Sequence, residues 1–290
     1  MTTTMPTVVT EPGLYPDMDD ATYHGDPVPA GSLSSTGARK LLPPSCPAKF
    51  RWWLDNGDRP KDAFDLGHAA HLKVLSRGLD LAVVDAPDWR TKAAKEAKAA
   101  AYAAGQVPLL AVDHDRVEAM AAAVRRHHIA GPLLDPESGQ PEMSAFWIDQ
   151  DTGVWCRARY DFLRHPVPGR RRIVADYKTT PDASLEHIQR AIHRFGYHQQ
   201  GAHYLDGAIA LGAADDPAFV LVFQETEPPH VITVVQLDPV ALRIGRDLNR
   251  QALATYAECQ RTGVWPAYSD DIEPVALPTW VERQHTKEIW

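Results

Sequence analysis

Two apolar runs joined by a short polar loop decide the fold of this chain. Residues 160–178 read YDFLRHPVPGRRRIVADYK, and the prolines and glycine of 166–169 turn the chain back between the runs. Each run is typical of a β-strand, in which residues two apart share a face, so Asp176 and Lys178 point the same way. Asp161 lies near the end of the first strand. If the two strands pair, its carboxylate approaches that of Asp176.

The chemistry of Asp161, Asp176 and Lys178 depends on what lies between the two carboxylates. Carboxylates that converge on one point repel each other, and one pKa rises unless a cation lies between them. Hard oxygen ligands select Mg²⁺ or Mn²⁺. A lysine alongside can orient and help deprotonate an attacking water, or stabilise developing charge on a phosphate. The alternative is structural: Asp161 caps a turn, and residues 176–178 form a solvated strand end. For the D-x-K tripeptide alone this alternative is the commoner case.

The sequence on either side predicts an α/β fold. Three strands are indicated by EMSAFWID, GVWCRARYDFL and RRIVADYKTT, which lie within 142–180. A long helix follows over 184–211, and then a hairpin of two strands, AFVLVFQET and HVITVVQLD. The last helix begins at Asp238 and ends at Gly263. This order favours a mixed five-stranded sheet flanked by helices.

The chain divides into four stretches. Residues 1–21 carry Thr, Pro and Asp without periodicity, which predicts a mobile leader. Residues 22–135 are predicted to be helical and include the helix that carries His71. Residues 136–266 hold the sheet and its helices and form one structural unit with 22–135. Residues 267–290, with scattered prolines, predict an irregular tail.

Composition and charge exclude several classes of protein. The 290 residues are 44% hydrophobic and 23% charged, as in ordinary globular proteins, and no run approaches the ~20 apolar residues that span a bilayer. The start of the chain lacks the pattern of a secretory signal. Three distant cysteines exclude a disulfide framework and a four-thiolate cluster within the chain, and they favour the cytoplasm. With 30 Lys and Arg against 38 Asp and Glu, the net charge of −8 means that any nucleic-acid contact needs local basic groups.

The order and spacing of several short phrases resemble those of the PD-(D/E)XK nuclease superfamily. Within it the pattern is similar to the RecB-type nucleases, and most closely to the RecE (exonuclease VIII) branch of phages and prophages. The resemblance covers roughly residues 22–266. It implies a restriction-endonuclease-like core with an N-terminal helical extension. The phrases that carry it are Tyr23–Asp26, Ser32–Leu42, Cys46–Phe50, Gly67–His71, Thr152–Asp161, Val174–Thr180 and Tyr197–Tyr204.

A metal-dependent nuclease centre is what this resemblance implies. Asp161 and Asp176 would be the main metal ligands, with the backbone carbonyl of Tyr177 and an imidazole nitrogen of His71 as further ligands. Lys178 would position the attacking water. On spacing alone, His71 is more often a core histidine bonded to a backbone carbonyl. The expected cofactor is Mg²⁺, with Mn²⁺ as a substitute.

Further polar residues are candidates for the same centre. Gln200 and Tyr204 lie four apart on one helix face, and in RecB-type relatives this pair lies beside the active centre; alternatively they are a polar pair packed against the sheet. Glu142 could join the site or bind a metal-bound water. Arg157 and Arg159 share a strand face with the first aspartate, and could hold a phosphate or neutralise the carboxylates.

Basic residues at two other places are candidates for DNA binding. Lys92 and Lys95 repeat along one edge of a predicted helix, and Arg170 and Arg171 lie at the entrance of a strand. If such groups line one channel, DNA binding weakens steeply as salt rises. Taken singly, each group is better explained as solvated surface.

The function that the resemblance implies is a Mg²⁺-dependent DNA exonuclease. Such an enzyme would act 5′ to 3′ on linear duplex ends and generate single-stranded DNA for recombination. Members of the RecE branch typically work as closed rings alongside a single-strand annealing protein. A homo-oligomeric ring and such a partner are therefore expected, in the bacterial cytoplasm if a phage encodes the chain.

Three other functions remain open. An AddB-like or CRISPR-associated nuclease of the same superfamily commonly holds an iron–sulfur cluster on four cysteines, so this chain would be a cluster-free version. A catalytically inactive DNA-binding module is disfavoured by the intact Asp161, Asp176 and Lys178. A metal-dependent hydrolase of a small phosphorylated substrate is the third alternative, but the sequence contains no Gly-rich phosphate-binding loop that would support it.

Overall fold

Helices and strands alternate along the chain, which the computed structural model describes over residues 8–57, 65–75 and 81–286. The helices are α1 Asp20–His24, α2 Ser35–Leu41, α3 Pro47–Asn56, α4 Asp65–Val74, α5 Lys92–Ala103, α6 Ala111–Arg126, α7 Ala130–Leu133, α8 Leu185–Phe195, α9 Tyr197–Ala210, α10 Pro239–Thr262 and α11 Thr279–Thr286. The strands are β1 Gly13–Tyr15, β2 Leu33–Ser34, β3 Leu81–Val84, β4 Val107–Leu110, β5 Gly139–Ile148, β6 Trp155–Arg164, β7 Ile173–Thr180, β8 Ala218–Glu225 and β9 Ile232–Gln236.

Seven strands of the described residues form one mixed sheet. Its order is β1-β5-β6-β7-β8-β9, and the short β2 runs parallel to β6. β5, β6 and β7 are antiparallel neighbours, β7 and β8 are parallel, and β9 is antiparallel to β8. The five strands expected from the sequence are β5 to β9, and the mixed α/β architecture is confirmed. β1 and β2 extend the sheet.

Helices cover both faces of the sheet, which explains the near-continuous apolar sequence of a strand such as β8. Leu221 and Phe223 of β8 pack in one core with residues of α9 and α10, whereas Val222 packs in a second core with residues of α4 and α6. Both faces of the central strands are therefore buried. Across the described ranges, no helix has the length and apolar character needed to cross a membrane.

The amino-terminal segment belongs to the fold. β1 pairs with β5, Val9 and Met18 are buried, and the Asp19 side chain caps α1. The prediction of a mobile leader over 1–21 is therefore wrong for its described part; residues 1–7 lie outside the described residues. Composition alone indicated the leader, but pairing with a sheet edge and two buried side chains hold the segment in place.

The stretch 22–135 is less purely helical than predicted. Besides its helices it contains β2, which joins the main sheet, and β3 and β4, which form a separate parallel pair. These strands have two to four residues, too few for a clear alternation pattern. At the other end of the chain, the tail predicted to be irregular contains the short helix α11.

One predicted helix is in fact two. The helix expected over 184–211 is divided at Gly196, whose φ of 69° ends α8 and begins α9. This left-handed conformation favours glycine, and a Cβ there would lie only 2.6 Å from Cδ of Arg39. The break lets α9 pack against β5, β6 and β8, which brings Gln200 to the sheet.

A buried histidine on α9 makes the stability of the fold depend on pH. His203 is 3% exposed, its Nε2 donates to the carbonyl oxygen of Arg157 at 3.1 Å, and the ring of Trp147 lies 4.8 Å away. Burial lowers the pKa of His203 to about 4, against about 6.5 in an unfolded chain. At pH values between these two pKa values, the unfolded chain binds more protons than the folded protein. The folded state is therefore not destabilised by His203 above about pH 6.5, and its stability falls as the pH drops from about 6.5 to about 4.

The substitution His203→Gln should flatten this pH dependence. Glutamine retains an N–H donor for the Arg157 carbonyl but does not titrate. Between about pH 7 and about pH 5, the free energy of unfolding of the wild type should fall by about 2 kcal/mol more than that of the variant. Urea unfolding at both pH values measures the difference. If the free energy of unfolding falls equally in the two proteins, His203 is not the source of the pH dependence.

Candidate active site

A cavity of about 1200 Å³ is lined by residues of the main sheet and of the helices around it. Its lining includes His71 of α4, Glu142 of β5, Asp161 of β6, Lys178 of β7 and Gln200 of α9. All five were predicted as site residues or candidates from the sequence. The fold therefore brings together polar side chains that lie far apart along the chain.

Asp161 is held by two donors. Its Oδ2 accepts a hydrogen bond from the backbone N–H of Tyr177 at 2.8 Å and lies 2.9 Å from Nε2 of His71. Burial opposes ionisation of this carboxyl group, but the positive charges of His71 and Lys178 outweigh burial and lower the pKa of Asp161. The group is therefore a carboxylate at neutral pH.

Asp176 lies behind the wall of the cavity. It is 0% exposed; Nε2 of Gln200 donates to its Oδ2 at 2.7 Å, and Lys178 forms an ion pair with its Oδ1. Burial and then the charge of Asp161 raise the pKa of Asp176 to about 6. The two aspartates thus interact as expected, but Lys178 and Gln200 stand between Asp176 and the cavity.

Lys178 presents a positive charge to the cavity. Burial disfavours that charge, but the carboxylates of Asp176 and Asp161 outweigh burial and raise the pKa of Lys178. Its ammonium lies 5.2 Å from the centre of the Tyr197 ring. Of the two roles considered for this lysine, the retained proton favours stabilisation of charge over deprotonation of water.

Glu142 occupies a strained backbone position on β5. Its φ of 52° lies in the left-handed region, which costs a non-glycine residue roughly 1–2 kcal/mol and persists where surrounding contacts hold it. It lies between two ladder pairs, Pro141 with Phe162 and Met143 with Tyr160, and is therefore level with Asp161 on β6. Its Oε1 lies 3.3 Å from Nδ1 of His71, and its Oε2 accepts from Nε of Arg159 at 2.6 Å. Burial, and next the charge of Asp161, raises the pKa of Glu142.

His71 links two of the carboxylates. Burial would lower its pKa, but the charges of Asp161 and Glu142 prevail and raise it to about 9. Its ring nitrogens face these carboxylates, not a backbone carbonyl. Its surroundings therefore match a site residue better than the core histidine that spacing alone favoured.

The donor set suits a hard divalent cation. Carboxylates are ligands that Mg²⁺ and Mn²⁺ prefer, and those of Asp161, Asp176 and Glu142 lie at this cavity or directly behind its wall. The donors are, however, bonded to one another. Within the described ranges, no three His, Cys, Asp or Glu side chains are grouped so that they could hold an ion. Metal binding therefore requires His71 and Lys178 to release the carboxylates that they contact.

Comparison with protein families identifies the scaffold. The model of a family described as "PDDEXK-like domain of unknown function (DUF3799)" matches residues 36–278. This range includes His71, Asp161, Asp176 and Lys178. The chain belongs to this PDDEXK-like family. The predicted PD-(D/E)XK superfamily is thereby confirmed.

A solved structure shares the fold of this PDDEXK-like protein. A protein described as "Putative exonuclease" from Eubacterium rectale aligns with a TM-score of 0.55 over 87% of this chain and 92% of that chain, at 12% sequence identity. A second structure, of SSO0001, aligns over 74% of this chain and 84% of that chain at 13% identity, with a TM-score of 0.28. No curated protein matches the chain.

Two predicted tyrosines have different surroundings in the PDDEXK-like site. Tyr204 is 8% exposed and lies in the cavity wall with Gln200, and burial raises its pKa. Tyr177 contributes its backbone N–H to Asp161, and its hydroxyl donates to Oε1 of Gln224 at 2.5 Å. The metal contact expected of the Tyr177 carbonyl stays a prediction.

Four predicted DNA-binding residues lie away from the cavity lining. Lys92 and Lys95 belong to α5, which packs against β3 and β4. Arg170 and Arg171 precede β7, at the opposite end from Lys178, and Nη2 of Arg171 donates to Asp216 at 2.9 Å. A contact of these residues with DNA stays a prediction, and it would lie outside the cavity.

The two strand arginines both line the cavity but differ in their partners. Nη1 of Arg157 lies 2.6 Å from Oδ2 of Asp26 and donates to the carbonyl oxygen of Ser32 at 2.7 Å, so this arginine ties the sheet to the amino-terminal segment. Arg159 instead neutralises Glu142 and also contacts Asp20. The ion pairs of both arginines fit the alternative in which these residues neutralise carboxylates.

Asp20 lines the cavity wall but was not among the site residues predicted from the sequence. It lies in α1, inside the stretch predicted to be a mobile leader. A signal was present: Asp19 stands three residues before Thr22 and accepts its backbone N–H at 2.8 Å, which is a typical N-cap. This cap marks a helix start where no apolar periodicity was visible.

Proposed function

We propose that this protein is a divalent-metal-dependent deoxyribonuclease that hydrolyses phosphodiester bonds at the ends of linear duplex DNA. The observation that carries the proposal is the convergence of Asp161, Lys178 and Gln200 at one cavity, with Asp176 directly behind them. The PDDEXK-like scaffold supports a nuclease. The similar fold of the protein described as "Putative exonuclease" from Eubacterium rectale supports action at chain ends.

Each residue has a defined task in this proposal. Phosphodiester hydrolysis needs an activated water and neutralisation of a charge-rich transition state. A divalent ion held by Asp161, Asp176 and Glu142 would polarise the phosphoryl oxygen and lower the pKa of a bound water. His71 would be a further ligand once the charge of the ion displaces the proton from its imidazole. Lys178 would stabilise negative charge on the phosphate. Gln200 would keep the second aspartate oriented through its amide hydrogen bond.

The specific form that we propose is a RecE-type activity. It digests duplex DNA 5′ to 3′ with Mg²⁺, or with Mn²⁺ as a substitute, and leaves single-stranded DNA for recombination. A single-strand annealing protein as partner and a homo-oligomeric ring belong to the same proposal. In a ring, acidic outer surfaces can lie away from the DNA, which fits the net charge of −8.

Digestion of end-labelled DNA tests the proposal. Linear duplex, circular duplex and single-stranded DNA are incubated with the protein with and without Mg²⁺, and each end of the linear duplex strands is labelled in turn. We expect loss of linear duplex alone, beginning at the 5′ ends. Because the carboxylates cannot polarise a phosphate unaided, EDTA should abolish digestion, and added Mg²⁺ or Mn²⁺ should restore it.

The rival functions give different results in this assay. Binding of DNA without loss would indicate the inactive binding module. Neither binding nor loss would leave the hydrolase of a small phosphorylated substrate. Cutting of circular duplex would contradict a dependence on ends, and digestion that persists in EDTA would contradict the metal requirement.

A further inference from the structure

The amino-terminal segment forms part of the wall of the catalytic cavity. β1 pairs with β5, and the residues that follow it bring Asp17, Asp19 and Asp20 into the cavity lining. The same lining holds Arg159, two residues before Asp161 on β6. Three acidic residues of one segment thus line a cavity whose proposed substrate is itself a polyanion.

Arg159 is incompletely paired. Its Nε donates to Glu142 at 2.6 Å, and its Nη2 lies 3.1 Å from Oδ1 of Asp20. Its buried Nη1 finds no hydrogen-bond partner in the described part of the chain, and the same holds for Nε of Arg157 on the same strand face. Buried N–H groups are nearly always paired. Both arginines line the cavity, so an acceptor bound there can complete the pairing of these donors once a neighbouring side chain moves aside.

The two acidic partners of Arg159 differ in how deeply they are buried and in how many contacts hold them. The Glu142 side chain is 13% exposed and also contacts His71. The Asp20 side chain is 39% exposed and lies in the first turn of the five-residue helix α1. Ion pairs at such exposure contribute little to stability, so Asp20 can leave at small cost. A phosphate supplies the same charge and more than one acceptor oxygen, which suits the planar fork of a guanidinium.

We propose that Arg159 is a subsite for a backbone phosphate of the DNA strand in the cavity, and that Asp20 covers this subsite until DNA displaces it. The inference rests on the proposed nuclease function and adds the residue that receives a phosphate beside the catalytic carboxylates. The ring of Tyr23, whose centre lies 5.5 Å from the Arg159 guanidinium carbon, supports the guanidinium when Asp20 moves away.

Removal of the Asp20 charge should strengthen DNA binding. In a fluorescence anisotropy titration with a short linear duplex in EDTA, Asp20→Asn should lower Kd by roughly threefold to tenfold, because the phosphate no longer competes with a carboxylate. The matched control is Asp151→Asn. Asp151 also pairs with an arginine, Arg250, at 2.8 Å, and is not part of the cavity lining. Its variant should bind like the wild type.

A double variant tests whether the effect passes through Arg159. In an Arg159→Gln background, whose own binding should be weaker, Asp20→Asn should give no further gain. An equal gain from Asp151→Asn would indicate a general charge effect and overturn the subsite. The subsite would also be overturned if Asp20→Asn still increased DNA affinity in the Arg159→Gln background.

Hydrogen exchange of the wild type gives a test that needs no variant. Addition of DNA should increase amide exchange in α1, because Asp20 loses its partner; unchanged exchange there contradicts the displacement. The two proposals fail in different ways. A wild type that binds no duplex refutes the nuclease proposal, and the subsite with it. If the wild type digests DNA but Asp20→Asn binds no more tightly, only the subsite is refuted.

Discussion

Replacement of Asp161 by asparagine should lower Mg²⁺-dependent DNA digestion by roughly a thousandfold or more. The Asp161 side chain is the one predicted metal ligand that is both a carboxylate of lowered pKa and part of the cavity wall. Asparagine has nearly the same size and can still accept the hydrogen bond from Tyr177, but it carries no charge to attract a cation. Single-turnover digestion of end-labelled linear duplex measures the loss.

The control for this variant is Asp206→Asn. Asp206 lies on α9 outside the cavity lining and accepts from Nε of Arg246 at 2.8 Å, so the same chemical change is made away from the site. This control should digest DNA like the wild type. Folding and DNA binding should largely survive in Asp161→Asn. Digestion at the wild-type rate by Asp161→Asn, or by Asp176→Ala, would remove the assignment of the catalytic centre.

Replacement of Gly245 by alanine should destabilise the protein by about 3 kcal/mol or more. Gly245 is buried on α10 where this helix packs against α9. A Cβ there would collide with the carbonyl oxygen of His198, lie 2.7 Å from its carbonyl carbon and lie 3.0 Å from Cβ of Ala202. Backbone atoms cannot rotate away, so the two helices must separate. Urea unfolding at neutral pH measures the loss.

A second glycine on the same helix separates steric effects from backbone effects. Gly263 ends α10 with a φ of 72°, and no atom of the described structure lies within 4 Å of a Cβ built there. Gly263→Ala should therefore cost only about 1 kcal/mol, from the left-handed backbone alone. The Gly245 variant should also digest DNA poorly, because α9 carries Gln200. Equal destabilisation by the two substitutions would contradict the close helix contact.

The two carboxylates of the site could be predicted from local sequence. The apolar runs around residues 166–169 are long enough to indicate two strands, and the pairing of those strands brings Asp161 toward Asp176. The spacing of Asp176 and Lys178 on one strand face depends only on strand geometry, and the structure has this arrangement. Four-residue spacing on a helix likewise put Gln200 and Tyr204 on one face.

Other parts of the site depended on contacts between distant segments. Glu142 could not be assigned, because its place level with Asp161 follows from the register of β5 and β6 and from a left-handed backbone that its sequence neighbours do not indicate. Asp20 was missed because a three-residue strand and a five-residue helix carry too little periodicity to predict. Lys92 and Lys95 form a regular pattern, yet their helix lies away from the cavity lining.

By itself the sequence determined the five strands β5 to β9, the positions of most long helices and the family, because apolar periodicity and residue spacing act over short distances along the chain. The tertiary structure decided which side chains face one another: His71 between two carboxylates, Asp176 behind Lys178, and Asp20 against Arg159. These contacts depend on strand register, on the helix break at Gly196 and on the pairing of β1 with β5. Such features arise from packing between segments, for which a single segment carries no signal.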